Sequence, residues 1–78
     1  MTLDRLRQIL LALPGEPEVH VYEDRGLIGT ITTPAFGDRN EAHRQAMVWE
    51  HLSHHATDEE LANVVFIFAY PPEGQKAA

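Results

Sequence analysis

The sequence predicts an α+β domain in which the elements run αββααβ and a mixed three-stranded sheet carries its helices on one face. Three patterns lead there. The opening residues repeat leucine at helical spacing, residues 18–32 alternate on either side of a tight turn, and VVFIFAY, 64–70, follows a helical stretch as an unbroken strand-like run. A hairpin, then helices, then a returning strand is the connectivity that sets three strands in one sheet with the helices beside it.

Leu3, Leu6, Leu10 and Leu13 fall on one helical face, Thr2 stands in position to cap the start, and Pro14 and Gly15 end the helix. In EVHVYE, 18–23, Val19, Val21 and Glu23 share one side and His20 and Tyr22 the other, the period of a half-buried strand. DRG, 24–26, turns the chain into LIGTITT, whose β-branched residues complete a hairpin. Gly29 inside it is a weak spot or a bulge. After the connection TPAFG, 33–37, Asp38 stands three residues before Glu41, the spacing of a capping box, and AHRQAMVWEHLSHHA continues at helical period. Thr57 with Glu60 makes a second box that opens DEELA, and Asn63 falls where a left-handed helix-ending residue is wanted. The run Val64 to Tyr70 lacks alternation, so it reads as a central strand covered on both faces or nearly so. Pro71 and Pro72 stop it. One domain is expected over residues 1–73, with 74–78 a frayed tail.

Composition narrows the function. A chain of 78 residues makes one small domain, of a size that buries only about 60% of the surface its unfolded form exposes. It has no cysteine, which excludes disulfides, thiolate zinc sites and thiol nucleophiles and fits a cytoplasmic location. Asp4, Arg5 and Arg7 interrupt the apolar residues of the start, which therefore reads as a structured helix and not as a secretion signal. The longest apolar run, 64–70, is far short of the roughly 20 residues that cross a bilayer, and a soluble protein is expected. The net charge is -6, and the six basic residues (Arg5, Arg7, Arg25, Arg39, Arg44 and Lys76) are scattered. Phosphate binding needs clustered cations, so nucleic acid is a poor first partner for this chain.

Four of the five histidines, His43, His51, His54 and His55, lie in the long helical stretch. On a wheel of about 100° per residue they centre, with Met47, about 130° from the group Gln45, Val48, Trp49, Leu52 and Ala56, and so look outward. His51 with His54 or His55 has the spacing that two ligands on one helix need, and neutral imidazole binds zinc, copper or nickel. A tight site also needs a third ligand and partners that fix the tautomers, and the sequence offers neither. The reading is a solvated face with weak metal affinity at His51, His54 and His55. Ser53 is the only serine, and His54 points about 100° away from it on a helix, so no local nucleophile and base pair forms. Asp58, Glu59 and Glu60 are first-turn charges favoured by the helix dipole. Trp49 and Phe36 read as core. No enzyme is expected.

Three stretches, LPGEPEVHV at 13–21, PAFGDRNEAHRQAMVWEHL at 34–52 and VVFIFAYPPEG at 64–74, follow one another in the order and spacing of the BolA-like proteins, which the chain resembles over residues 3–73. These are small αββααβ domains related in topology to the type II KH fold. Arg44, Met47, Val48, Trp49 and Leu52 fall on the family's helix signature "RHxxVY…L", with Trp49 in place of the tyrosine and Gln45 in place of the histidine. Tyr70, Pro72 and Glu73 fall on the closing "TYTPEE". The resemblance implies a non-enzymatic partner of monothiol glutaredoxins that helps to hold or pass on a 2Fe-2S cluster, in some members with a role in transcription and stress response.

The cluster ligands depart from the family. Its invariant histidine begins the last strand, where this chain has Asn63, and its second ligand, histidine or cysteine, lies in the loop between the first strands, here Glu23, Asp24, Arg25 and Gly26. Asparagine is not a normal cluster ligand. No tightly bound cofactor is therefore expected, and His20 is the nearest substitute. The partner surface carried over by resemblance is Asp24, Arg25, Gly26, Arg44, Asn63 and Val64. Two alternatives stand beside this one. A KH-like nucleic-acid or transcriptional module would clamp backbone through a GxxG loop between two helices, but the corresponding link SHHAT has no glycine. A histidine-mediated metal binder would use His51, His54 and His55.

Overall fold

The computed structural model describes residues 1–72 and has the αββααβ order that the sequence predicts. α1 spans Leu3–Leu11, β1 Glu18–Glu23, β2 Leu27–Thr32, α2 Glu41–His55, α3 Asp58–Leu61 and β3 Val64–Tyr70. Residues 34–36 form a single 3₁₀ turn. The family match at Glu73 and the tail reading for 74–78 lie outside the described residues. No helix among the described residues is long and apolar enough to cross a membrane.

Thr2 caps α1 as its position predicts, its side chain accepting from the Arg5 amide at 3.1 Å. Leu6, Ile9 and Leu10 are buried along the helix and Leu13 just beyond it. The segment after α1 is held by Thr33, which is only 1% exposed. Its hydroxyl donates to the Pro14 carbonyl at 2.8 Å and accepts from the Ala35 amide at 3.2 Å, so the buried group is satisfied on both counts. Gly15, at φ +91°, passes so close that a Cβ there would collide with the Thr33 hydroxyl.

β1 and β2 pair antiparallel from Glu18↔Thr32 to Glu23↔Leu27, and β3 joins β2 in parallel, giving the order β1-β2-β3. β2 is therefore the centre of the sheet and β3 an edge, which corrects the expectation of a central β3. The apolar run also hides a real alternation. The register shifts between Leu27, which pairs with Val64, and Ile28, which pairs with Phe66, so Val65 is an extra residue on β3. Beyond it Ile67 and Ala69 point into the core, while Phe66, Phe68 and Tyr70 point out. The irregularity is not at Gly29. A Cβ there would meet Ile67 Cδ1 at 3.0 Å and Leu10 Cδ1 at 3.3 Å, so this glycine lets α1 lie close against the central strand.

The largest fully buried apolar side chains among the described residues lie between one face of the sheet and the helices: Leu6 and Leu10 from α1, Leu27 and Ile31 from β2, Phe36 from the 3₁₀ turn, Val48 and Leu52 from α2, and Ile67 from β3. Two further expectations change. The cap of α2 is Asn40, whose side chain accepts from the His43 amide at 2.9 Å, and not Asp38, because the helix begins at Glu41. Asn63 is not left-handed; among the described residues the non-glycine positions with positive φ are Glu16 and Arg25, and α3 ends on Ala62 in the right-handed region. The Thr57–Glu60 capping box forms in both directions as predicted.

Candidate functional site

The loop between β1 and β2 and the start of β3 meet at one end of the sheet. The turn is closed by the Asp24 amide donating to the Gly26 carbonyl at 2.8 Å, with Arg25 at φ +57° and Gly26 at φ +130°. The Leu27 amide then donates to the Asn63 carbonyl at 2.9 Å, which fastens the hairpin to the strand start. Gly26 is required there, since a Cβ would fall 2.6 Å from Val65 Cγ2 and 3.0 Å from the Asn63 oxygen. The Asn63 side chain donates to the Met1 carbonyl at 3.2 Å. Five of the six residues proposed from the resemblance, Asp24, Arg25, Gly26, Asn63 and Val64, are thus gathered at one end, with Val64 buried and Asp24, Arg25 and Asn63 exposed.

The sixth, Arg44, stands elsewhere and has a structural task. Its Nε donates to the Ala69 carbonyl at 2.9 Å, and its terminal nitrogens reach the Arg39 carbonyl at 2.5 Å and the Glu41 carboxylate at 2.6 Å. The next residue, Gln45, donates to the Ile67 carbonyl at 2.8 Å and accepts from the Trp49 indole at 3.1 Å. These side chains occupy the outward carbonyls of β3 and so blunt the edge that would otherwise recruit another strand.

The loop and Asn63 do not fit a 2Fe-2S cluster as ligands. Residues 23–26 offer carboxylates and a guanidinium but neither thiolate nor imidazole, and the Asn63 amide is engaged with Met1. His20 projects from the middle of β1 opposite Thr30, with its Nε2 3.4 Å from Glu18 Oε1.

The histidines of α2 divide. His43, His54 and His55 are exposed as the wheel predicts, but His51 is half-buried, its Nε2 2.7 Å from the Ile9 carbonyl. Since a carbonyl can only accept, Nε2 is the donor in that contact. Met47 likewise packs against the core instead of facing solvent. The His51 and His55 rings lie 4.5 Å apart, whereas His54 turns to Glu50 at 4.0 Å. Among the described residues no three of His, Cys, Asp or Glu are grouped closely enough to hold a metal ion. The link between α2 and α3 is equally uninviting for a nucleic-acid backbone. Ser53, His54 and His55 are still helical, so only Ala56 and Thr57 separate the helices.

Arg5 and Glu60 pair at 2.6 Å, and Arg5 also donates to the His55 carbonyl at 3.1 Å, tying α1 to α3. The Arg5 hydrogen bond, with help from the Thr57 amide, holds the Glu60 carboxyl below the usual carboxylate range, and the same bond raises Arg5. Among the described residues every buried side-chain nitrogen and oxygen has a partner.

One surface was not anticipated from sequence. Among the described residues nothing covers the sheet face opposite the helices, and its outward residues line up in rows: Glu18, Thr32 and Tyr70; His20, Thr30 and Phe68; Tyr22, Ile28 and Phe66. Tyr22 is 51% exposed, Phe66 and Phe68 38% and Tyr70 41%. Phe66 and Phe68 meet edge to face at 4.8 Å, and Phe68 lies parallel to Tyr70 at 6.4 Å. The available signal was the spacing of the three aromatics at every second residue of 66–70, set against Ile28, Thr30 and Thr32 at every second residue of β2. No protein-family model, curated protein or solved structure matches the chain.

Proposed function

We propose that the chain is a non-enzymatic binding module of the BolA-like kind, which docks on a monothiol glutaredoxin in iron-sulfur cluster handling and leaves cluster ligation to that partner. The observation that carries this reading is the Leu27–Asn63 backbone bond, which presents the 24–26 turn and the start of β3 as one contiguous surface. That is the end of the sheet where the family resemblance places its partner contact. The absence of a fitting ligand at residues 23–26 and at Asn63 supports protein contact over direct coordination. A stress-related regulatory role, cytoplasmic and through protein contacts, belongs to the same reading.

A ¹⁵N NMR titration of the protein with monothiol glutaredoxin, in apo and cluster-loaded form, tests it. Saturable shifts centred on residues 23–27 and 62–66 are expected with both forms. A flat titration would remove the glutaredoxin reading and leave only the fold.

A further inference from the structure

We propose that the open face of the sheet is a second docking surface, for an extended segment of another protein that carries arginine or lysine among apolar residues. This inference does not rest on the family reading, since it concerns a different face from the 24–26 turn. Four exposed aromatic rings, Tyr22, Phe66, Phe68 and Tyr70, stand on a face with no arginine or lysine among its nine outward positions. Its one fixed charge is the Glu18 carboxylate, at the end of the row that holds Tyr70. The arginines whose contacts are described, Arg5, Arg39 and Arg44, are committed on the helices and their connections.

Charge decides among the possible occupants. A single nucleic-acid strand would stack on such rings but would find no arginine or lysine on the face for its phosphates. A second copy would bring two chains of net charge -6 together and set one carboxylate-bearing face on another. A cationic segment gains on both counts: the guanidinium or ammonium lies over electron-rich ring faces, and the acidic chain attracts it at long range. The rings set the mode, since they stand on the face and not along an edge, and Gln45 and Arg44 occupy the Ile67 and Ala69 carbonyls, which disfavours adding a strand at the aromatic-rich β3.

The test uses a fluorescein-labelled peptide of four Arg-Pro-Leu repeats, whose prolines keep it extended and unable to pair as a strand. A Glu-Pro-Leu peptide of equal length and a thymidine oligonucleotide serve as competitors for the interpretation. Saturable anisotropy is expected with the arginine peptide alone, with ¹⁵N shifts along residues 18–22, 28–32 and 66–70. Binding should weaken with salt, and Phe68→Ala, checked for an intact spectrum, should lose about tenfold in affinity, the size of a cation–π contact with its surrounding burial. The proposal is overturned by no saturable binding, by equal binding of the glutamate peptide or tighter binding of the oligonucleotide, or by shifts confined to other surfaces. It is equally overturned if Phe68→Ala binds unchanged, or if sedimentation shows a dimer whose interface buries the aromatic face.

Discussion

Two neighbours on β3 give a sharp test of the sheet's one-sidedness. Ile67 is fully buried in the core, whereas Phe68, the larger side chain, is 38% exposed on the open face. Ile67→Ala removes three carbons from a closed core, so it loses transfer free energy and leaves a cavity, about 2–5 kcal/mol together. Phe68→Ala leaves no cavity, because the space it vacates opens to water. Full burial of such a side chain is worth about 1.5–3 kcal/mol, and roughly three-fifths of Phe68 is shielded, which puts its truncation near 1–2 kcal/mol. The change in strand propensity is common to both and does not separate them. A domain of this length has a total stability of about 4–12 kcal/mol, so the isoleucine variant sits near the edge of folding and the phenylalanine variant does not. Urea unfolding followed by circular dichroism, with slopes held equal, measures the difference. If Phe68→Ala is as destabilising as Ile67→Ala, the open face is covered and the placement of β3 is wrong.

Three further outcomes follow from other parts of the structure. Arg44→Ala should destabilise by about 1.5–3 kcal/mol in the same urea assay, the worth of a hydrogen bond to a charged donor, and Arg44→Lys should not restore it, since an ammonium cannot bridge the Ala69, Arg39 and Glu41 oxygens as the guanidinium does. Gly26→Ala forces a Cβ against Val65 and the Asn63 carbonyl at a positive φ, which should cost about 1–3 kcal/mol and speed amide exchange at Leu27. Glu60 is held below its unfolded carboxylate pKa by Arg5 and the Thr57 amide, so its contribution is present above the unfolded value and lost as pH falls through the folded one. Stability measured across that acid range should therefore fall less steeply in Glu60→Gln than in the parent protein.

Much of this fold was written in local patterns. The leucine spacing of α1, the Thr2 cap, the EVHVYE alternation and the Thr57–Glu60 box each depend on residues within a few positions of one another, and each is realised as predicted. What escaped depends on partners distant in sequence. The place of β3 at the edge is set by β2 lying between it and β1, and its alternation is masked because a single extra residue, Val65, puts valine before an aromatic at the bulge. His51 looked solvated on a wheel of α2 alone; the Ile9 carbonyl that receives it belongs to α1. Gly29 read as a defect until Leu10 and Ile67 were placed beside it. The candidate site was legible as a position, since the turn and the start of β3 do meet, while Arg44 lies apart from it, bonded to the far end of β3 through the Ala69 carbonyl.

The claim that organises the functional reading is that this chain meets its partner through protein contact and contributes no ligand to a cluster. Visible-range circular dichroism of cluster-loaded monothiol glutaredoxin, recorded while the protein is added to saturation as judged by the NMR shifts, tests that claim most directly. The account predicts binding with an unchanged cluster spectrum, and the same result with His20→Ala. A new spectrum that appears on binding and is lost in His20→Ala would contradict it, placing a histidine of this chain on the iron.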